Sequence, residues 1–174
     1  MGKKGLTVKE IAVFSMLGAV MFISYLLMEW APNIHFLGMF TVTFTVVYRK
    51  KALIPIYLYV LLTGLIYGFN TWWYPYLYIW TVLWGVTMLL PRDMKKAVAV
   101  PVYVIVCALH GLCFGLLYAP FQALVFGLNF KGTLAWIAAG LPFDALHCAG
   151  NAVAGFLILP LSQLLKKLNG QIGI

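Results

Sequence analysis

Runs such as ALIPIYLYVLLTGLIYGF, Ala52 to Phe69, are apolar on every side of any helix they form, which leaves no face for water. In a lipid core each backbone N–H and C=O must be satisfied internally, so only α-helices or a closed β-barrel suit such segments. Barrel strands alternate apolar and polar residues, and these runs do not. The chain therefore reads as an all-α integral membrane protein. Its composition agrees: of 174 residues, 64% are hydrophobic and only 9% charged, more apolar than a soluble surface tolerates.

A spanning helix uses about 20 residues, so six spans with short connections consume nearly the whole chain as one domain, 1–174. Helices are expected near 9–30, 34–48, 52–69, 74–90, 97–118 and 142–165. Ala119 to Leu141, interrupted by Pro120, Gly127, Gly132 and Gly140, reads as a loop with one or two helical turns at the outer interface. Lys3 and Lys4 before the run from Ile11 imitate a signal peptide. No small-residue cleavage pattern follows before Met28-Glu29-Trp30, so that run is read as a retained helix.

The twelve basic residues orient these spans, because cytoplasmic loops hold excess Lys and Arg. Lys3, Lys4 and Lys9 precede the first helix; Arg49, Lys50 and Lys51 join the second to the third; Arg92, Lys95 and Lys96 join the fourth to the fifth; Lys166 and Lys167 follow the sixth. Only Lys131 falls on the other side. Six spans with both termini in the cytoplasm of a plasma membrane follow, and the net charge of +8 needs no nucleic acid to explain it. The aromatic stretch GFNTWWYPYLYIW, Gly68 to Trp80, fits an interfacial belt at the opposite face.

Ionisable groups at membrane depth are costly and usually face a bundle interior or a wet cavity. Four stand out: Glu29, His110, Asp144 and His147. In LPFDALHCAGN, Leu141 to Asn151, the spacing i, i+3, i+7 places Asp144, His147 and Asn151 on one helical face. Pro142 suits a first helical turn, which would put Asp144 near the outer mouth at a positive helix end. At about 1.5 Å per residue, Asn151 on the sixth helix and His110 on the fifth reach one level. An outward-opening cavity floored by His110 and Asn151 and rimmed by Asp144 and Glu29 is the expected geometry. Trp73, Trp80 and Trp84 share one face of the fourth helix and Tyr74 and Tyr78 another, supplying an apolar wall, while Asn70, Thr71 and Trp72 stand ready to close over it. Each group also has a plainer reading: a helix-end partner for Asp144, satisfied burial for His110, packing or belt for the aromatics.

Ser15, Gly18 and Ala19 give the first helix a smooth strip for close approach of another helix, within the bundle or outside it. Cys107, Cys113 and Cys148 lack CxxC spacing and read as small buried hydrophobes.

In layout and local sequence the chain resembles the substrate-binding S components of energy-coupling factor transporters. The resemblance rests on KKGLTVKEIAVFSMLGA at the start, PNIHFLGMFTVTF leading into the second helix, the aromatic loop before the fourth, and GLPFDALHCAGN opening the sixth. It implies a six-helix bundle that is not an enzyme and takes up a vitamin-like or aromatic micronutrient from outside. The implied pocket uses helices four to six and the loops between helices one and two, three and four, and five and six. His35, in PNIHFLGMFTVTF, joins the expected contacts, and Asn151 matches a family Asn on helix six. The strip at Ser15, Gly18 and Ala19 corresponds to an AxxxA-type motif, with Ser15 for the first alanine, that docks onto a transmembrane scaffold subunit powered by two cytoplasmic ATPases. The resemblance implies delivery by tilting in the bilayer, with no cofactor. The chain has no GxxxxGK[ST] phosphate loop of its own.

Three other readings compete. An intramembrane enzyme would pair Asp144 with His147 and use Cys148 or Ser24 as nucleophile, although successive helical residues such as His147 and Cys148 point about 100° apart. A metal-handling protein would use His110, His147 and Asp144. A structural scaffold of the cell-shape type would need no pocket.

Overall fold

The computed structural model describes residues 5–174; Lys3 and Lys4 lie outside the described residues. Eight α-helices follow one another: α1 Val8–Leu27, α2 Leu37–Tyr48, α3 Leu53–Tyr67, α4 Tyr76–Leu89, α5 Lys96–Leu112, α6 Phe114–Phe126, α7 Phe130–Gly155 and α8 Ile158–Ile172, with a 3-10 turn, Arg49–Ala52, between α2 and α3. No strand occurs among the described residues.

Three helical stretches, Val8–Leu27, Leu37–Tyr67 and Lys96–Phe126, are long and apolar enough to cross a membrane. A fourth is reached if α7 and α8, which bend by 48° at Phe156 and Leu157, count as one. α4 is apolar but short. Their outer surfaces carry Leu65, Ile66, Leu89, Leu116, Phe143 and Val153, all exposed in the isolated chain. Such an exterior suits hydrocarbon, where an apolar outer face costs nothing.

Local chemistry sets several helix ends. Thr7 caps α1 in a reciprocal box: its hydroxyl accepts from the Glu10 amide at 3.2 Å while Glu10 accepts from the Thr7 amide at 3.0 Å. α2 stops at Arg49, whose φ of 53° lies in the left-handed region that a side chain disfavours. Two bonds to α4 hold it there: Arg49 Nη2 donates to the Met88 carbonyl at 2.5 Å, and its own carbonyl accepts from Trp84 Nε1 at 3.1 Å.

α2 is the central post. Leu37, Met39, Val42 and Phe44 are buried in two adjoining apolar clusters, one with Met21, Ile56, Tyr59 and Trp80, the other with Leu83, Tyr103, Cys107 and Ile158. The hydroxyl of Thr45 donates back to the Thr41 carbonyl at 2.6 Å, which keeps a polar group in the core satisfied by its own helix. The chain ends come together: Lys9 Nζ donates to the Ile172 carbonyl at 2.6 Å and Tyr48 to Asn169 at 3.1 Å. At the far end Glu29 pairs with Tyr67, and Tyr118 donates to the Trp72 carbonyl at 3.0 Å.

The segment 119–141 departs from expectation. It is not a loop: α6 runs on to Phe126, Gly127 ends it at φ +63°, and Asn129 caps α7 by accepting from the Gly132 amide at 2.8 Å. Pro120 and Pro142 both lie inside helices. In apolar surroundings a helix remains the available way to satisfy the flanking backbone, so glycine and proline punctuate less sharply than in water. Pro142 is consequently not a first-turn residue.

Candidate functional site

Close approach of α5 and α7, the most extensive helix pair, builds the site. A Cβ on Gly111 would stand 2.9 Å from the His147 carbonyl, and one on Gly155 would stand 2.9 Å from the Val104 Cα, so both positions need hydrogen for the helices to meet. Gly38 of α2 similarly makes room for the Asn151 amide, 3.0 Å from where its Cβ would be. Asn151 then donates from Nδ2 to the Cys107 carbonyl at 3.1 Å.

Around this junction the three histidines converge. His147 lies 4.6 Å from His35 and 5.0 Å from Phe114, ring centre to ring centre. Trp80 joins them, 5.6 Å from His110, 6.2 Å from His35, 6.2 Å from Tyr59 and 5.9 Å from Tyr76. Trp80 and Asn151 are 1% exposed, His147 2% and His110 7%. His110 Nε2 sits 3.2 Å from the Ile79 carbonyl, which can only accept, so the proton is assigned to Nε2 and neutral His110 turns a lone pair on Nδ1 inward.

The layer is rich in unmet polar atoms. His35 Nδ1, Tyr59 Oη, Trp80 Nε1, His110 Nδ1, His147 Nε2 and Asn151 Oδ1 are all buried without a hydrogen-bond partner. An unsatisfied buried donor or acceptor costs about 1–3 kcal/mol, so six in one place are an exception that needs a reason. Three clefts adjoin the layer. His35 borders one of about 140 Å³ beside Glu29 and one of about 530 Å³ against Leu146, Gly150 and Val153 of α7; His110 borders a third, about 290 Å³, between α4 and α5.

The other expected contacts separate. Asp144 is buried but does not rim a mouth: both its oxygens accept from the Gly115 amide, at 3.1 and 3.2 Å, near the start of α6. It does meet a helix N-terminus, but the helix is α6 and not its own. Glu29 lies at the surface with Tyr67, and the cleft it borders includes neither His110 nor Asn151. Trp73 and Tyr74 precede α4 and so do not continue its face. Trp73 donates to the Val60 carbonyl at 2.7 Å and Tyr74 is exposed, stacked on Phe121 at 5.8 Å. Asn70 donates to the Tyr67 carbonyl at 3.1 Å, Tyr78 to the Leu117 carbonyl at 2.8 Å, and Trp84 is committed to Arg49. Among the described residues no group of three or more His, Cys, Asp or Glu is placed to hold a metal ion, so the arrangement of His110, His147 and Asp144 as joint ligands is not formed.

Tyr59, Tyr76 and Phe114 belong to the layer without having been singled out in the sequence. Their types are common in every span here, and nothing local marks which ones face inward. Gly111 and Gly115 offered a better signal, since small residues beside a histidine announce close helix contact.

The fold and the site thus define an all-helical protein of membrane-crossing type with a buried, partnerless polar layer. Comparison with known protein families, curated proteins and solved structures finds no match in any of the three.

Proposed function

We propose that this chain is the substrate-binding S component of an energy-coupling factor transporter, taking a small planar molecule into the layer around Trp80, His110, His147 and Asn151. The observation that carries the reading is the set of six unpartnered polar atoms drawn from five separate segments into one aromatic-walled region. A purely structural bundle gains nothing from them, whereas binding sites are mostly apolar with a few convergent polar groups. Ligand atoms would satisfy what the protein leaves open.

Those atoms also describe the ligand. His110 Nδ1 and Asn151 Oδ1 are acceptors, and Trp80 Nε1–H is a donor. With Asp144 spent on Gly115 and Glu29 at the surface, no carboxylate faces the layer. An uncharged heterocycle carrying both N–H or O–H donors and a carbonyl or ring-nitrogen acceptor fits best. Entry would pass His35, which separates the layer from two of the clefts.

In this reading α1 to α4, α5 with α6, and α7 with α8 make six crossings of the plasma membrane, with both termini cytoplasmic. The support is that Lys9, Lys51, Arg49 and the end of α8 share one end of the molecule while Lys131 starts α7. Docking to a scaffold subunit, and through it to two ATPases, would use Ser15 and Ala19. Ser15 is exposed and Ala19 half-buried. Gly18 is not free for this role, because its Cα faces Leu58 of α3 so closely that a Cβ would stand 2.7 Å from it.

Native mass spectrometry of protein purified after growth in rich medium tests the reading. A retained small molecule that is lost from the Trp80→Ala, Asn151→Ala double variant is the expected result. Protein that stays empty under every growth condition, or a ligand kept by the double variant, overturns it in favour of a structural scaffold.

A further inference from the structure

At the basic end of the molecule, where α8 turns from α7, a second site is built from residues the layer does not use. A cleft of about 220 Å³ lies between α2, the turn after α4, the first turn of α5 and α8. Arg92, Lys96 and Lys166 line it, with Asp93 the one acidic side chain, so positive charge exceeds negative by two. None of these is in an ion pair; the only ion pair among the described residues joins Lys51 to Glu10. α5 begins here at Lys96, and Lys95 at its cap position makes no side-chain bond to the first-turn amides. A helix end of this kind favours an anion. The wall also contains Ser162, 2% exposed, whose hydroxyl has no partner.

Three cations, an uncapped helix start and an orphaned buried hydroxyl around one cleft have a common complement. We propose that this cleft binds a phosphate group, with Arg92, Lys96 and Lys166 neutralising its charge and Ser162 donating to one oxygen. Guanidinium and ammonium groups suit phosphate oxygens, and the hydroxyl supplies the close donor that plain surface charge lacks. Val46 and Leu159 continue the wall as apolar surface. Two sources can supply such a group: the headgroup of an anionic phospholipid, whose chains would lie along that apolar face, or free inorganic phosphate. The site stands apart from the aromatic layer and does not depend on the transport reading.

The test uses the full-length protein in detergent, delipidated and followed by native mass spectrometry and thermal unfolding. The probes are dioleoyl phosphatidylglycerol, dioleoylglycerol with the same chains and no phosphate, and inorganic phosphate. A lipid source predicts that phosphatidylglycerol binds at least tenfold more tightly than dioleoylglycerol and is not displaced by millimolar phosphate. A free-phosphate source predicts that phosphate alone raises the unfolding temperature and displaces the lipid. In both cases R92Q with K166Q weakens binding about tenfold, Ser162→Ala weakens it severalfold, and Lys131→Gln, at the start of α7, changes nothing. Equal binding of the two lipids with no effect of phosphate overturns the proposal. So does wild-type affinity in both the charge and the Ser162 variants.

Discussion

Both carboxylate oxygens of Asp144 accept from the Gly115 amide, at 3.1 and 3.2 Å, so a side chain of α7 caps the helix that opens at Phe114. The backbone break at Cys113 that separates α5 from α6 leaves first-turn amides without intrahelical acceptors, and one of them is met from across the bundle. Asp144→Ala should therefore lower stability by about 1–3 kcal/mol, because it leaves the Gly115 amide buried and unmet. Asp144→Asn should fall between, keeping an acceptor and losing the charge. Thermal unfolding in detergent ranks the three proteins; a wild-type midpoint for the alanine variant would show that the contact carries no weight.

Gly111→Ala should be strongly destabilising, by about 1–3 kcal/mol, because the added methyl meets the His147 backbone, which cannot swing aside as a side chain would. Gly85→Ala, where nothing lies within 4 Å, is the matched control. It should be neutral or stabilising by up to about 1 kcal/mol through helix propensity alone. Equal midpoints for the two variants would contradict the packing described for α5 and α7.

The aromatic residues divide into two groups that ligand binding should tell apart. Trp80→Ala should reduce affinity for the retained molecule by about tenfold, the worth of one lost aromatic contact of about 1.4 kcal/mol. Tyr74→Ala should leave it unchanged, since Tyr74 lies exposed on Phe121. Equilibrium titration of the two variants with the eluted ligand is the measurement, and matching losses would mean that the layer is not the site.

Helix α1 offers a similar contrast. Ala19→Trp should block co-purification with a scaffold subunit while leaving the unfolding temperature near wild type. Gly18→Leu should instead lower that temperature by forcing Leu58 away. If Ala19→Trp co-purifies as wild type does, Ala19 is not part of a docking surface.

Thr7→Ala should cost about 1 kcal/mol by removing one arm of the capping box while Glu10 still pairs with Lys51. Hydrogen exchange at the first turn of α1 gives a local readout, with faster exchange of the Glu10 amide as the expected sign.

Much of this was legible before any coordinates. Apolar runs without a polar face demand helices, because the backbone must bond to itself where water is absent, and the spacing of Asp144, His147 and Asn151 places them on one face from helix geometry alone. Small residues at Ser15, Gly18 and Ala19 also signalled close approach, though not which helix approaches. Where the reading failed, it relied on rules calibrated in water: Pro120 and the glycines of 119–141 suggested a loop and Pro142 a helix start, yet α6 runs through Pro120 and α7 through Gly132, Gly140 and Pro142, and only Gly127 ends a helix.

What the tertiary structure alone decided is which of those faces meet. Helical periodicity is local, but a partner such as Gly115 for Asp144, His35 for His147 or Arg49 for Trp84 lies on another segment and is chosen by how helices cross. Every face in such a chain is apolar enough to turn inward, so burial by itself does not pick one. The choice falls to shape, the glycines that let α5 and α7 touch, and to the few polar groups that find a partner there or are left without one.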